Sequence, residues 1–243
     1  MGFFKTIVFS ALLSGIVAGA VQTGLQNFLV YPLIFAAETY EGLEKSANSN
    51  PHSQRSDPAT AMHHHENEAW APVGGTDRLL FSILTNMLLG VALGLILGAI
   101  FALRPVANWR HGILWGLGGF AAVNLAPAFG MPPELPGMPT GDLLARQVWW
   151  LTTAILTACG IALLFLSKTV IWRLGGVALI ILPHIYGAPK SPNLNSKVPA
   201  TLAAEFATTS LITNLIFWAF LGMLAAVAME KFSAKNTNGR RLI

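Results

Sequence analysis

The sequence predicts an all-α integral membrane protein, a bundle of about six transmembrane helices with a proline-broken outer loop. Three observations predict it. Of the 243 residues 53% are apolar and 11% charged, where a soluble domain carries about 25% charged residues, and the mean hydropathy is +0.57. Apolar runs near the span length of about 20 residues recur six times, at about 6–30, 79–103, 112–129, 148–167, 170–187 and 207–229. Between the third and fourth runs stand prolines at 127, 132, 133, 136 and 139. Each lacks a backbone N–H and biases its predecessor away from the helical region, so a continuous helix cannot run through them.

In chain order, residues 1–37 read as a first transmembrane helix with an extension. Its apolar character runs from Phe3 to Ala37, longer than one span, with Gln22, Gln26 and Asn27 inside. A helix that crosses and then continues, or bends near Pro32, fits it better than a cleaved leader ending at Ala18-Gly19-Ala20, because the apolar run does not stop there. Residues 38–78 form an extracytoplasmic loop rich in His and Glu, within which 45–62 (KSANSNPHSQRSDPATAM) read as a linker with little to bury. Gly74-Gly75 marks a turn before the second span. Residues 79–229 supply the other five helices, and 230–243 a basic cytoplasmic tail. No internal repeat is evident by sequence.

Charge gives the orientation. With the N-terminus inside and six alternating spans, nine of the 15 basic residues fall inside, as the positive-inside rule requires. Of the 11 acids only Glu230 does. The net charge of +4 is therefore topological, and no nucleic-acid partner follows from it. The partner it implies is membrane lipid, with an oligomer allowed. The single cysteine, Cys159, excludes an intramolecular disulfide or a thiolate cluster.

Candidate ligands concentrate outside. His63, His64 and His65 with Glu66 join imidazole to carboxylate, a donor set that suits divalent first-row metals. Glu38 and Glu41 follow the first span at helical spacing, Glu38 nearest the membrane. Glu134 lies among prolines, so its backbone is stiff. His184, in LPHIYGAP, ends the fifth span as either a packing residue or a ligand. Asp142 and Arg146 stand four apart at the head of the fourth span and are expected to pair, with a structural role. Trp149 and Trp150 fit an interfacial belt, and Asn214 inside the last span should face protein rather than lipid.

The residues also exclude classes. There is no G-x-x-x-x-G-K-[ST] motif, so nucleotide-driven work would need another chain. His111 and His184 fall at opposite faces, which rules out a shared haem, and no serine within a span has a histidine at its depth to activate it. An enzyme is not expected.

At WGLGGFAAVNLAPAFGMPPELPGM (115–138), RQVWW (146–150) and LPHIYGAP (182–189), the sequence resembles the CbtA family of proposed cobalt transporter subunits. YPLIFAAETYE (31–41) and GGTDR (74–78) are similar to it as well. The resemblance implies a multi-pass protein of the prokaryotic inner membrane that serves cobalt uptake and cobalamin supply. It also implies a small single-span, histidine-bearing partner like CbtB. It implies no resident cofactor: the metal is cargo, Co2+ by resemblance, with Ni2+ the alternative, since a nitrogen–oxygen site would prefer nickel or copper on affinity alone. The alternative reading is a metal-binding assembly subunit that is not itself the pore.

Overall fold

The computed structural model describes residues 3–48, 75–106, 108–192 and 195–240, with side chains described from 4 to 40 in the first stretch and from 195 to 233 in the last. Among the described residues every regular element is helical: α1 Phe3–Leu25, π1 Gln26–Val30, α2 Tyr31–Asn48, α3 Gly75–Leu103, α4 Trp109–Phe120, π2 Ala121–Leu125, α5 Ala126–Ala128, α6 Leu143–Leu166, α7 Val170–Tyr186 and α8 Ala200–Arg240. Joined end to end, they form six rods. Phe4–Tyr40, Gly75–Leu103, Leu143–Leu166 and Ala200–Ser233 are long and apolar enough to cross a bilayer, and α7 is a shorter apolar helix. The sixth rod is α4, π2 and α5 in succession.

The long first run passes its proline without ending. Pro32 has no N–H to donate, and its ring crowds the carbonyl of Phe28. The chain responds by widening one turn ahead of it: π1 ends at Val30, and the Tyr31 N–H reaches back five residues to the Gln26 carbonyl. The third run does the same before Pro127, where π2 ends at Leu125 and the Ala126 N–H bonds the Ala121 carbonyl. α1 and α4 share more than this. Gly15 and Gly19 precede Asn27 as Gly112 and Gly116 precede Asn124, at the same offsets. That correspondence escaped the sequence reading. α2 carries on to Asn48, so helix runs into the stretch expected to be linker from residue 45.

Helix contacts are made where glycine removes the side chain. α1 lies antiparallel on α3, Gly15 meeting Gly90 and Gly19 meeting Asn86 and Met87. α4 lies antiparallel on α8, Gly112 meeting Gly222 and Gly116 meeting Trp218. α6 and α7 form a hairpin in which Gly160 meets Gly176. The core fills the junction of α1, α3 and α8 with Ala18, Leu97, Phe101, Leu221 and Ala225. The α6–α7 hairpin stands to one side and reaches this core through α4, π2 and α5. The helices alternate in direction. One end gathers the starts of α1 and α4 and the far end of α8, with the Phe9 and Phe232 rings 6.4 Å apart. The other gathers α2, the proline loop and the start of α8, with Val30, Ala37, Leu135, Val198 and Phe206 buried together.

Candidate functional site

The second end carries the candidate site, and its framework is the loop from Phe129 to Asp142. Pro136 and Gly137 make a turn in which Gly137 takes φ 78°, a conformation glycine adopts without strain. The turn closes with the Met138 N–H on the Leu135 carbonyl, 3.2 Å. It presses Leu135 into the cluster of α2 and α8, leaving it 3% exposed. Glu134, one residue earlier, is thereby fixed in place. Its carboxylate accepts from the Arg146 guanidinium, with both side chains about three-quarters buried.

This pairing corrects the expectation for Asp142 and Arg146. Asp142 does not take the arginine; it caps α6, its carboxylate accepting from the Ala145 N–H at 2.8 Å. An N-cap carboxylate satisfies one of the orphan amides of the first turn. Arg146, on the first turn of α6, is then free to reach back to the loop. Its partner is Glu134.

His184 lies near the end of α7, in the last turn of the helix, which runs on through Pro183 to Tyr186. The Pro183 carbonyl accepts from the Trp149 indole N–H at 3.2 Å, which ties α7 to α6. The imidazole stands edge-on between Trp149 and Phe129, with centroids 6.0 and 6.3 Å away. It borders a cavity of about 600 Å³ whose other walls include Leu125, Ile161, Ile180 and Thr157. Trp149 is 5% exposed, so it is a buried wall rather than a member of the lipid-facing belt expected for it, while Trp150 is 40% exposed.

Glu38 sits across the same end. Its carboxylate accepts from Arg78, on the first turn of α3, at 2.9 Å. The Arg78 guanidinium also lies over the Phe35 ring, 5.2 Å from its centroid. The two acids thus share one plan. Each follows a π-turn and a proline, and each is tied to an arginine at the head of the next long helix.

Inward of Arg78 lies a second cavity of about 220 Å³, bordered by Gln26, Phe81, Ser82, Thr85 and Asn86. Below it the amides connect three helices. The Asn86 amide donates to Gln26 Oε1 at 2.7 Å and Thr23 Oγ1 at 3.0 Å, and the Gln22 amide donates to Asn214 Oδ1 at 3.4 Å. Asn214 therefore faces protein, and also donates to the Ser210 carbonyl at 2.8 Å. Sequence reasoning placed Gln22, Gln26 and Asn86 inside spans but missed Arg78 as the partner of Glu38. The signal lay in GGTDR, an arginine one helical turn into a span.

Glu38, Glu134 and His184 are therefore brought to one end. They are not brought into one site: among the described residues no group of three or more His, Cys, Asp or Glu could hold a metal ion. A cation arriving at either carboxylate competes with a guanidinium, which stays charged at any physiological pH. His63, His64, His65 and Glu66 lie outside the described residues, as does the side chain of Glu41, whose backbone lies on α2.

No curated protein and no solved structure matches the chain. One family does, described as "Probable cobalt transporter subunit (CbtA)", over residues 4–230. That range holds the candidate spans but for the last three residues of the fourth, both acid–arginine pairs and the His184 hairpin, and the chain belongs to the CbtA family of probable cobalt transporter subunits.

Proposed function

We propose that this protein is a membrane subunit for divalent cobalt uptake. It captures the ion at the extracytoplasmic face and passes it through the bundle or to a partner. The observation that carries the reading is the gathering of Glu38, Glu134 and His184 at one end of a bundle whose family serves cobalt transport. The positive-inside rule makes that end extracytoplasmic and both termini cytoplasmic in a prokaryotic inner membrane. Glu41, His63, His64, His65 and Glu66 add donors on the same side by topology. The partner proposed is a small single-span protein bearing histidine.

One observation favours the second reading, a metal-binding assembly subunit that is not the pore. Both acids are already occupied by arginine, and the buried polar side chains of the described spans are all neutral. A doubly charged ion leaving water needs compensating charge or several oxygens.

Labelled Co2+ uptake by cells expressing the chain with and without its partner tests the proposal. Glu134→Gln and His184→Ala should each lower uptake by about tenfold, the effect of losing one stabilising contact. Uptake unchanged in both would remove these residues from the path. If the purified chain binds Co2+ in liposomes yet moves none, the assembly reading replaces the transport one.

A further inference from the structure

α1 buries polar groups at an unusual spacing. Thr6, Ser10, Ser14 and Gln22 recur in steps of four, with Ala18 filling the remaining position, and all five are at most 3% exposed. Residues four apart share a helix face. Off this row the helix is lipid-like: Leu13 and Ile16 are 54% and 44% exposed. An apolar residue would serve packing at every one of these positions, and a buried hydroxyl or amide costs free energy unless it is paired.

Two of these groups are not paired. Ser10 Oγ and Gln22 Oε1 are buried without a hydrogen-bond partner, and they account for two of the three such atoms among the described residues. Ser14 fills the position between them, its hydroxyl donating to the Ser10 carbonyl at 2.7 Å. Thr6 to Gln22 spans 16 residues, about 24 Å at the helical rise, most of a hydrocarbon core of about 30 Å.

The row is continuous with the mouth already described. Gln22 bonds Asn214 on α8, and the next turn carries Thr23 and Gln26 to Asn86 on α3. Of these, Gln26 and Asn86 border the 220 Å³ cavity under Arg78, and Arg78 holds Glu38. Resting on the uptake reading above, we infer that the polar row of α1, which runs beside the apolar core where α1 meets α3 and α8, is the route of the cation, from Glu38–Arg78 past Gln22 and Ser10 to the end bearing Lys5. The cargo is a divalent cation that keeps part of its water shell, because neutral hydroxyl and amide oxygens replace water dipoles but not charge. The cavity beside His184 lies across α4 and π2 from this route, so His184 serves capture at the mouth and not passage.

The test uses single cysteines in the full chain, in vesicles from cells that also express its partner. Cys159 is free and exposed, so the background is Cys159→Ala. Cysteine replaces Ser10, Ser14 or Gln22 in turn, with Leu13 and Ile16 as controls. A small cationic methanethiosulfonate reports hydration, since only the thiolate reacts. The seam cysteines should react at least about tenfold faster than the controls, and their modification should abolish Co2+ uptake, while the controls leave it unchanged. Seam cysteines as inert as Leu13→Cys, in a background that still takes up Co2+, overturn the route and leave the uptake reading standing. So does modification that leaves uptake intact. A background that moves no Co2+ overturns the uptake reading, and the route with it.

Discussion

Replacing Gly19 with alanine tests whether glycine contacts set the α1–α3 spacing. A Cβ at Gly19 would lie 2.5 Å from the Asn86 carbonyl oxygen and 2.6 Å from the Met87 Cα. Both are backbone atoms of α3, so no rotamer change relieves the clash. Ordinary contact begins at 3.4 Å, and the helices must part by almost 1 Å. Overpacking of this kind costs about 1–3 kcal/mol, offset by about 0.5–1 kcal/mol from replacing a helical glycine with alanine. Gly24, one turn on, has nothing within 4 Å of its would-be Cβ and serves as the control. Gly24→Ala should therefore be neutral or stabilising by about 0.5–1 kcal/mol, and Gly19→Ala destabilising by about 1–2 kcal/mol. Unfolding midpoints in detergent micelles, read by tryptophan fluorescence, measure both. Equal midpoints for the two variants would refute the argument, because they differ in space and not in propensity.

Other perturbations separate the pairs at the mouth. Asp142→Ala should cost about 1 kcal/mol of stability through the lost cap on α6, with Asp142→Asn restoring most of it. A double-mutant cycle over Glu134→Gln and Arg146→Gln should give a coupling of at least about 1 kcal/mol, whereas Asp142 and Arg146 should couple weakly. Trp149→Phe keeps the wall beside His184 but loses the bond to the Pro183 carbonyl, and should lower stability by about 1 kcal/mol. A cysteine introduced at Ser53 should react with an impermeant reagent from outside intact cells; labelling only after lysis reverses the orientation.

Most of the helical plan is legible in the sequence because it depends on length and hydropathy alone. The prolines locate both breaks, since a missing N–H is a local fact. What they do not announce is the remedy. Pro32 and Pro127 are each met by a widened turn just ahead of them, where a kink would answer the missing N–H as well. The acid pairs show the same limit. Asp142 and Arg146 suit each other by spacing, but Leu135 brings Glu134 to the arginine through a contact with α2 and α8, and no local pattern encodes that contact. Glu38 and Arg78 lie forty residues apart and become neighbours only when α1 packs on α3. The row of Thr6, Ser10 and Ser14 along α1 went unread, because an i+4 row of Ser and Thr fits a lipid-facing or a protein-facing side equally well.

A π-turn is one surplus residue absorbed inside a helix. Deleting Phe28 or Val123 would let π1 or π2 relapse into regular α-helix and leave the helix beyond close to its present phase, whereas deleting a residue from the regular turns of α1 or α4 would turn everything downstream by about 100° and draw it back by about 1.5 Å. Glu38 would keep Arg78 in the first case and swing off it in the second. Each wide turn is thus a place where the chain can shed one residue without moving the carboxylate beyond it.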